Sequence, residues 1–270
     1  MYKIIDSHCH IYPDRIAKKA VESVDRFYEG RTASYHDGTT ATLLKSGEES
    51  GISHFIVHSV ATVPHQVSSI NHFIAERMAG SGGRFTGLGA MHPDAENPRK
   101  DLEEIRSLGL KGVKLHPDAQ FFHVDSVKAM QIFEMLEDLQ MPVIVHTGDF
   151  RYDYSNPQRV ARVLRRFPRL KFIGAHFAGW SVWEEAARTL ADFSNLYVDT
   201  SSSFYLLKPE VSRRLIHTYG ADRVMFGTDY PFWNQKPDID YLLGLELGEE
   251  EYEKIFWKNV TGLFDIPVKE

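Results

Sequence analysis

GVKLHPDAQFFHVDSVKAMQIFEMLEDLQMPVIVHTG, residues 112–148, reads as one strand–helix–strand unit. Gly112–His116 and Pro142–His146 are short apolar runs, and each closes on a histidine. Between them, Ser126–Leu139 carries Met130, Phe133, Leu136 and Leu139 on one helical stripe. The apolar runs do not alternate cleanly, the pattern of parallel strands covered on both faces.

The same rhythm extends outward in both directions. Tyr2–Ser7, His54–Val60, Phe85–Met91, Lys171–His176, Leu196–Thr200 and Arg223–Thr228 read as further strands, bringing the total to eight. Helical patterns follow over Pro64–Ala79, Asn97–Leu108, Asn156–Phe167, Ser181–Phe193, Lys208–Tyr219 and Glu249–Phe264. Asn156-Pro157 is a good helix start, and Gly220 a good stop. Eight alternations predict an α/β fold: a (β/α)8 TIM-like barrel, one domain over residues 1–270. An open doubly wound sheet is the alternative, but no GxGxxG follows any strand. One segment breaks the rhythm. Ile11 to Ser53 holds helical stretches at Asp14–Phe27 and Thr40–Ser50 around a polar piece. A long first βα loop of this kind reads as a lid on the catalytic face.

Composition excludes several partners. Formal net charge is −6, from 31 basic and 37 acidic residues, and no basic stripe is present. Nucleic acid is therefore not an expected partner. No run of about 18 apolar residues exists to span a membrane. No secretory signal is visible, and Cys9 is the single cysteine. Both point to a cytoplasmic protein without an internal disulfide.

The C-terminal ends of the strands are where barrels carry their chemistry. Strand one ends in Asp6-Ser7-His8-Cys9-His10, and residues two apart in a strand share a face. His8 and His10 therefore point to the same side. Strand four ends in Lys114-Leu115-His116, strand five in His146, strand six in His176, and strand eight leads into Asp229. Any one of these residues alone is as readily a core histidine or a helix cap. Gathered at strand ends they read as a metal site. Neutral imidazoles with a carboxylate suit zinc and similar divalent metals. Such an ion lowers the pKa of its water from about 16 to about 7, and a neighbouring base takes the proton.

IIDSHCH at the start, GVKLHP, PVIVHTG, IGAHFAG, VMFGTDYPF and the closing IFWKNVTGLF resemble the amidohydrolase superfamily. The branch they most resemble is amidohydrolase family 2, typified by aminocarboxymuconate-semialdehyde decarboxylase. The resemblance spans nearly the whole chain and implies a TIM-like barrel. It implies His8, His10, His146 and Asp229 as metal ligands, with one ion rather than two. His176 and Asp229 become the catalytic proton carriers. Lys114 stands where binuclear members carry a carboxylated lysine; here it is read as a plain ammonium. Lys114, His116 and Arg151 are then the substrate contacts. Related nucleases place a glutamate at Lys114, which argues against nuclease activity. A homodimer is common in such a family.

The function expected is hydrolysis of a small carboxylate-, lactone- or amide-bearing molecule. The alternative is zinc-dependent non-oxidative decarboxylation of an unsaturated or aromatic acid. A barrel that binds without catalysis is the remaining reading.

Overall fold

The structure is a computed structural model and describes residues 2–267. Eight strands alternate with helices: β1 (Ile5–His10), β2 (His54–His58), β3 (Phe85–Gly87, resuming at Gly89–Ala90), β4 (Val113–Leu115), β5 (Val143–Val145), β6 (Phe172–Gly174), β7 (Leu196–Asp199) and β8 (Val224–Met225). Every neighbouring pair is parallel and in chain order. At the break in β3 the Leu88 N–H donates to the Val57 carbonyl at 2.9 Å, and the Gly89 N–H to the Gly112 carbonyl at 2.9 Å. The two ends also meet. The Ser7 N–H donates to the Phe226 carbonyl at 2.9 Å and the His10 N–H to the Tyr230 carbonyl at 2.7 Å. The sheet therefore closes into the barrel expected from the strand count.

Two apolar sets sort the strand residues by parity. Phe55, Val57, Val113, Leu115, Val143, Val145, Phe172 and Val198 face out into the large core beneath the helices. Ile5, Ile56, Leu88, Ile144, Ile173 and Met225 face in and form a second, smaller core. Val260, Leu263 and Phe264 of the last helix plug that core from below.

β1 does not keep a simple alternation. Asp6 pairs with Phe55 but Cys9 with Val57, so β1 spends one residue more than β2 over the same span. This bulge lets Ile5 and His8, three residues apart, both face the barrel axis. Cys9 then packs outward in the large core. Gly227 of the opposing segment makes the close approach possible, since a Cβ there would lie 2.9 Å from the His8 Cβ.

The helices are α1 (Asp14–Phe27), α2 (Thr40–Glu49), α3 (Val67–Ala79), α4 (Pro98–Ser107), α5 (Pro117–Gln120), α6 (Val127–Asp138), α7 (Pro157–Arg166), α8 (Trp183–Leu190), α9 (Pro209–Tyr219), α10 (Gln235–Leu243), α11 (Glu249–Glu253) and α12 (Asn259–Phe264). Asn97, Ser126 and Asn156 cap α4, α6 and α7 by accepting from a backbone N–H of the first turn. α10 has no counterpart in the sequence reading. Its Pro237 and two aspartates disguise it, yet proline is tolerated in a first turn. The closing helix is two α segments joined through a π turn at Lys254–Lys258. No helix among the described residues is long and apolar enough to cross a membrane.

Candidate metal centre

At the C-terminal mouth the inward positions turn from aliphatic to ionisable. His8 is fully buried, with Nδ1 2.8 Å from Asp199 Oδ2. That contact fixes Nδ1 as the donor and leaves the Nε2 lone pair facing the barrel axis. Asp229 Oδ1 lies 3.4 Å from this Nε2 and 3.3 Å from His10 Nε2. His8 and His10 thus share a face, as their spacing predicts, and Asp229 reaches both. Lys114 Nζ joins them, 3.1 Å from His8 Nε2 and almost wholly buried.

His146 and His176 form the neighbouring part of the site. His146 Nδ1 and His176 Nε2 are 3.0 Å apart. His176 Nδ1 lies 2.9 Å from the Ser201 carbonyl. His146 Nε2 faces Asp118 Oδ2 at 3.3 Å, and the His146 ring stacks on His116 at 4.0 Å between centroids. His116 Nδ1 accepts from the Ala119 N–H, so its Nε2 meets the Tyr28 hydroxyl at 3.0 Å.

Backbone conformation fixes two of these side chains. His176 and Asp229 both have left-handed backbones, with φ of 61° and 66°. For residues other than glycine such a conformation costs on the order of 1–3 kcal/mol and collects at functional sites. The Asp229 N–H donates to the His8 carbonyl at 3.0 Å, and the His176 N–H to Asp199 Oδ1 at 3.0 Å. Both turns are therefore tied to the strands that carry the other groups.

Electrostatics keep the donors ready for a cation. Burial lowers His8 to about 4, reinforced by Lys114. Burial also lowers His10, and pushes His58, His116 and His146 well below the usual imidazole range. Burial alone would raise the Asp229 carboxyl, but His8, His10 and His176 overcome it and hold the group well below the carboxylate range. Burial lowers Lys114 to about 8 and raises Asp118 to about 8, where Asp149 adds to the effect. Neutral imidazoles beside an ionised carboxylate are the donor set a divalent cation takes. Among the described residues both nitrogens of His58 lack any hydrogen-bond partner, and His146 Nε2 has only the Asp118 carboxylate, at 3.3 Å. The residues present fit a metal.

A cavity of about 300 Å³ opens onto the site. Tyr12, Ser23, Val24, Phe27 and Tyr28 of the first βα loop line it, with Phe121 and Phe232. That loop lies over the mouth, at the place expected of a lid. His10, Lys114, His116, His146, His176 and Asp229 line the same cavity.

Arg151 does not line it. Expected on the substrate, its guanidinium is instead held by Asp149, with Nη2 2.7 Å from Oδ2, and by the Phe27 carbonyl at 2.8 Å. The rings of Phe27, Tyr28, Tyr152 and Trp180 surround it within 5.8 Å. With its donors so engaged it braces the lid from behind.

Sequence reasoning misses His58, Asp118, Asp199 and Tyr28. His58 and Asp199 end apolar runs, the same signal that marks His146. Each of those runs extends one or two residues past the true strand, which hides its polar end.

A closed parallel barrel with buried imidazoles and a carboxylate gathered at its C-terminal mouth is the build of a metal-dependent barrel enzyme. The amidohydrolase family model (Amidohydro_2) matches residues 5–266, and the chain belongs to that family. The resemblance read from the motifs is thereby borne out. Among curated proteins the chain is similar to gamma-resorcylate decarboxylase of Polaromonas sp. strain JS666, 26% identical over 73% of this chain and 75% of the relative. Among solved structures it is similar to a TIM-barrel protein of Bordetella bronchiseptica, with TM-score 0.80, 24% identity and coverage of 97% and 98% of the two chains. It is also similar to dihydroxybenzoic acid decarboxylase of Polaromonas sp. JS666, solved with bound manganese and the inhibitor 2-nitroresorcinol. There the TM-score is 0.74, identity 19%, and coverage 98% and 97%.

Proposed function

We propose that the protein is a metal-dependent decarboxylase of a small planar aromatic or unsaturated acid. The observation that carries this reading is the cavity. Tyr12, Phe27, Tyr28, Phe121 and Phe232 give it flat apolar walls, and Lys114 supplies an ammonium beside the imidazoles. Such a space suits a ring bearing one carboxylate. The similarity to a decarboxylase over three-quarters of that relative's length supports the same reading. Decarboxylation thus moves ahead of hydrolysis, which the sequence alone puts first.

His8, His10 and Asp229 would hold one divalent cation, with His146 as the fourth residue of the set. Zinc suits these donors, and manganese is the ion in the Polaromonas decarboxylase. When bound, the cation supplies Lewis acidity towards the oxygens of the substrate. The chain's own groups do the rest. Lys114 meets the carboxylate. The aromatic walls hold the ring and exclude water. The bond from ring carbon to carboxyl carbon breaks, its electron pair accepts a proton, and CO2 leaves. Asp229 and His176, both on the cavity, are placed to relay that proton inward from solvent water, since Asp229 is itself ionised.

The test is a screen of metal-loaded protein against hydroxylated benzoates, lactones and amides. The expected result is CO2 release equal to the acid consumed, abolished by a chelator. Turnover of a lactone or amide with no CO2 from any acid overturns the proposal.

A further inference from the structure

We infer that His58, carried on β2, is a further ligand of the ion that this centre takes. The inference rests on the metal-centre reading above and deepens it. His58 is fully buried, and neither of its ring nitrogens has a hydrogen-bond partner among the described residues. Buried polar side chains almost always have at least one. The same strand shows the ordinary case at its other end, where His54 Nε2 lies 2.9 Å from Thr86 Oγ1.

Position makes the vacant nitrogens informative. His10 and His58 are register partners across β1 and β2. The His58 ring stands edge-on to His8 at 4.7 Å and to His10 at 4.5 Å. One ligand atom each from His8, His10 and His58 lies within 4.8 Å of the others. These are two of the residues that Asp229 also reaches. Packing alone does not account for an imidazole here. A leucine fills a similar space without burying two polar atoms. A cation shared with His8 and His10 takes up the lone pair that the protein leaves unused.

The experiment measures metal binding rather than turnover. Chelator-stripped protein is titrated with Co2+ by calorimetry and by visible absorption, for wild type, His58→Leu and His58→Gln. Both variants are expected to bind Co2+ roughly a hundredfold more weakly, or worse, and with altered absorption bands. Stripped His58→Leu is expected to melt no lower than stripped wild type, because it buries no orphaned polar group. Unchanged affinity and an unchanged spectrum in either folded variant overturn the inference and leave the metal centre standing. Failure of wild type to take up Co2+, Zn2+ or Mn2+ overturns both. Nitrogen-15 spectra of wild-type histidines with and without Zn2+ test the same ligation without any variant. The His58 resonances shift if it ligates and stay put if it does not.

Discussion

The barrel's interior changes character within two residues. On β2 and β5, Ile56 and Ile144 lie in the dry core plugged by Val260, Leu263 and Phe264. One step up the same faces stand His58 and His146, buried among other imidazoles. Both sets are buried, but only the lower one gains from it. Burying apolar area contributes roughly 25 cal/mol per Å², whereas burying an unpartnered polar group costs free energy. The floor therefore carries the stability that the mouth spends on keeping donors unpaired. Barrels divide labour in this way between N-terminal and C-terminal faces.

The sharpest way to break that comparison is at Asp229. Asp229→Asn keeps the shape and removes the charge. Activity is expected to fall on the order of a thousandfold, while the fold, read by circular dichroism, is kept. Turnover above a tenth of wild type would show that the mouth is not organised around this carboxylate. The floor should respond in the opposite sense. Phe264→Ala is expected to cost about 3–5 kcal/mol of stability, read by urea unfolding, with metal affinity of the folded fraction unchanged. A large loss of metal affinity would show that the two ends are coupled.

The third test is pH. In the unfolded chain the imidazoles take up protons near pH 6.5. In the folded, metal-free protein, burial lowers His8 to about 4 and lowers His10, His58, His116 and His146 as well. Below pH 6.5 the unfolded state thus binds more protons than the folded one, so stability falls as pH falls towards about 4. His8 alone accounts for up to about 3 kcal/mol of this, from the usual 1.36 kcal/mol per pKa unit. Urea midpoints of stripped protein should drop between pH 6.5 and pH 5, less steeply than the histidines alone would give, because Asp118, raised to about 8, keeps its proton in the folded state and opposes them. A flat profile would mean that the mouth's histidines are not held neutral.

Much of the architecture is legible in the sequence because it depends on local pattern. The unit at residues 112–148 shows two apolar runs and an amphipathic helix without any knowledge of neighbours. One positional rule finds His8, His10, His146, His176 and Asp229: polar residues where apolar runs end. The rule misses His58 and Asp199 because it needs the true strand end, and hydrogen bonds to adjacent strands set that end. Asp118 sits in a four-residue helix too short to show a period. Tyr28 reaches the cavity from the lid, through a fold of the loop that no spacing encodes. Arg151 departs from expectation for a nearer reason. Asp149, two residues before it, takes the guanidinium that the sequence reading gives to substrate.

The bulge in β1 has a consequence for transplantation. Below it the strand counts in one phase, with Ile5 inward; above it the count has slipped by one, with His8 and His10 inward. Copying the His-Cys-His triplet onto a regular strand would bring the imidazoles in only by turning Ile5 out. Deleting one residue between Asp6 and Cys9 would make the same exchange in reverse. The slip is a frame correction written into the backbone. It lets a single strand serve a grease seal at one end and a cluster of imidazoles at the other.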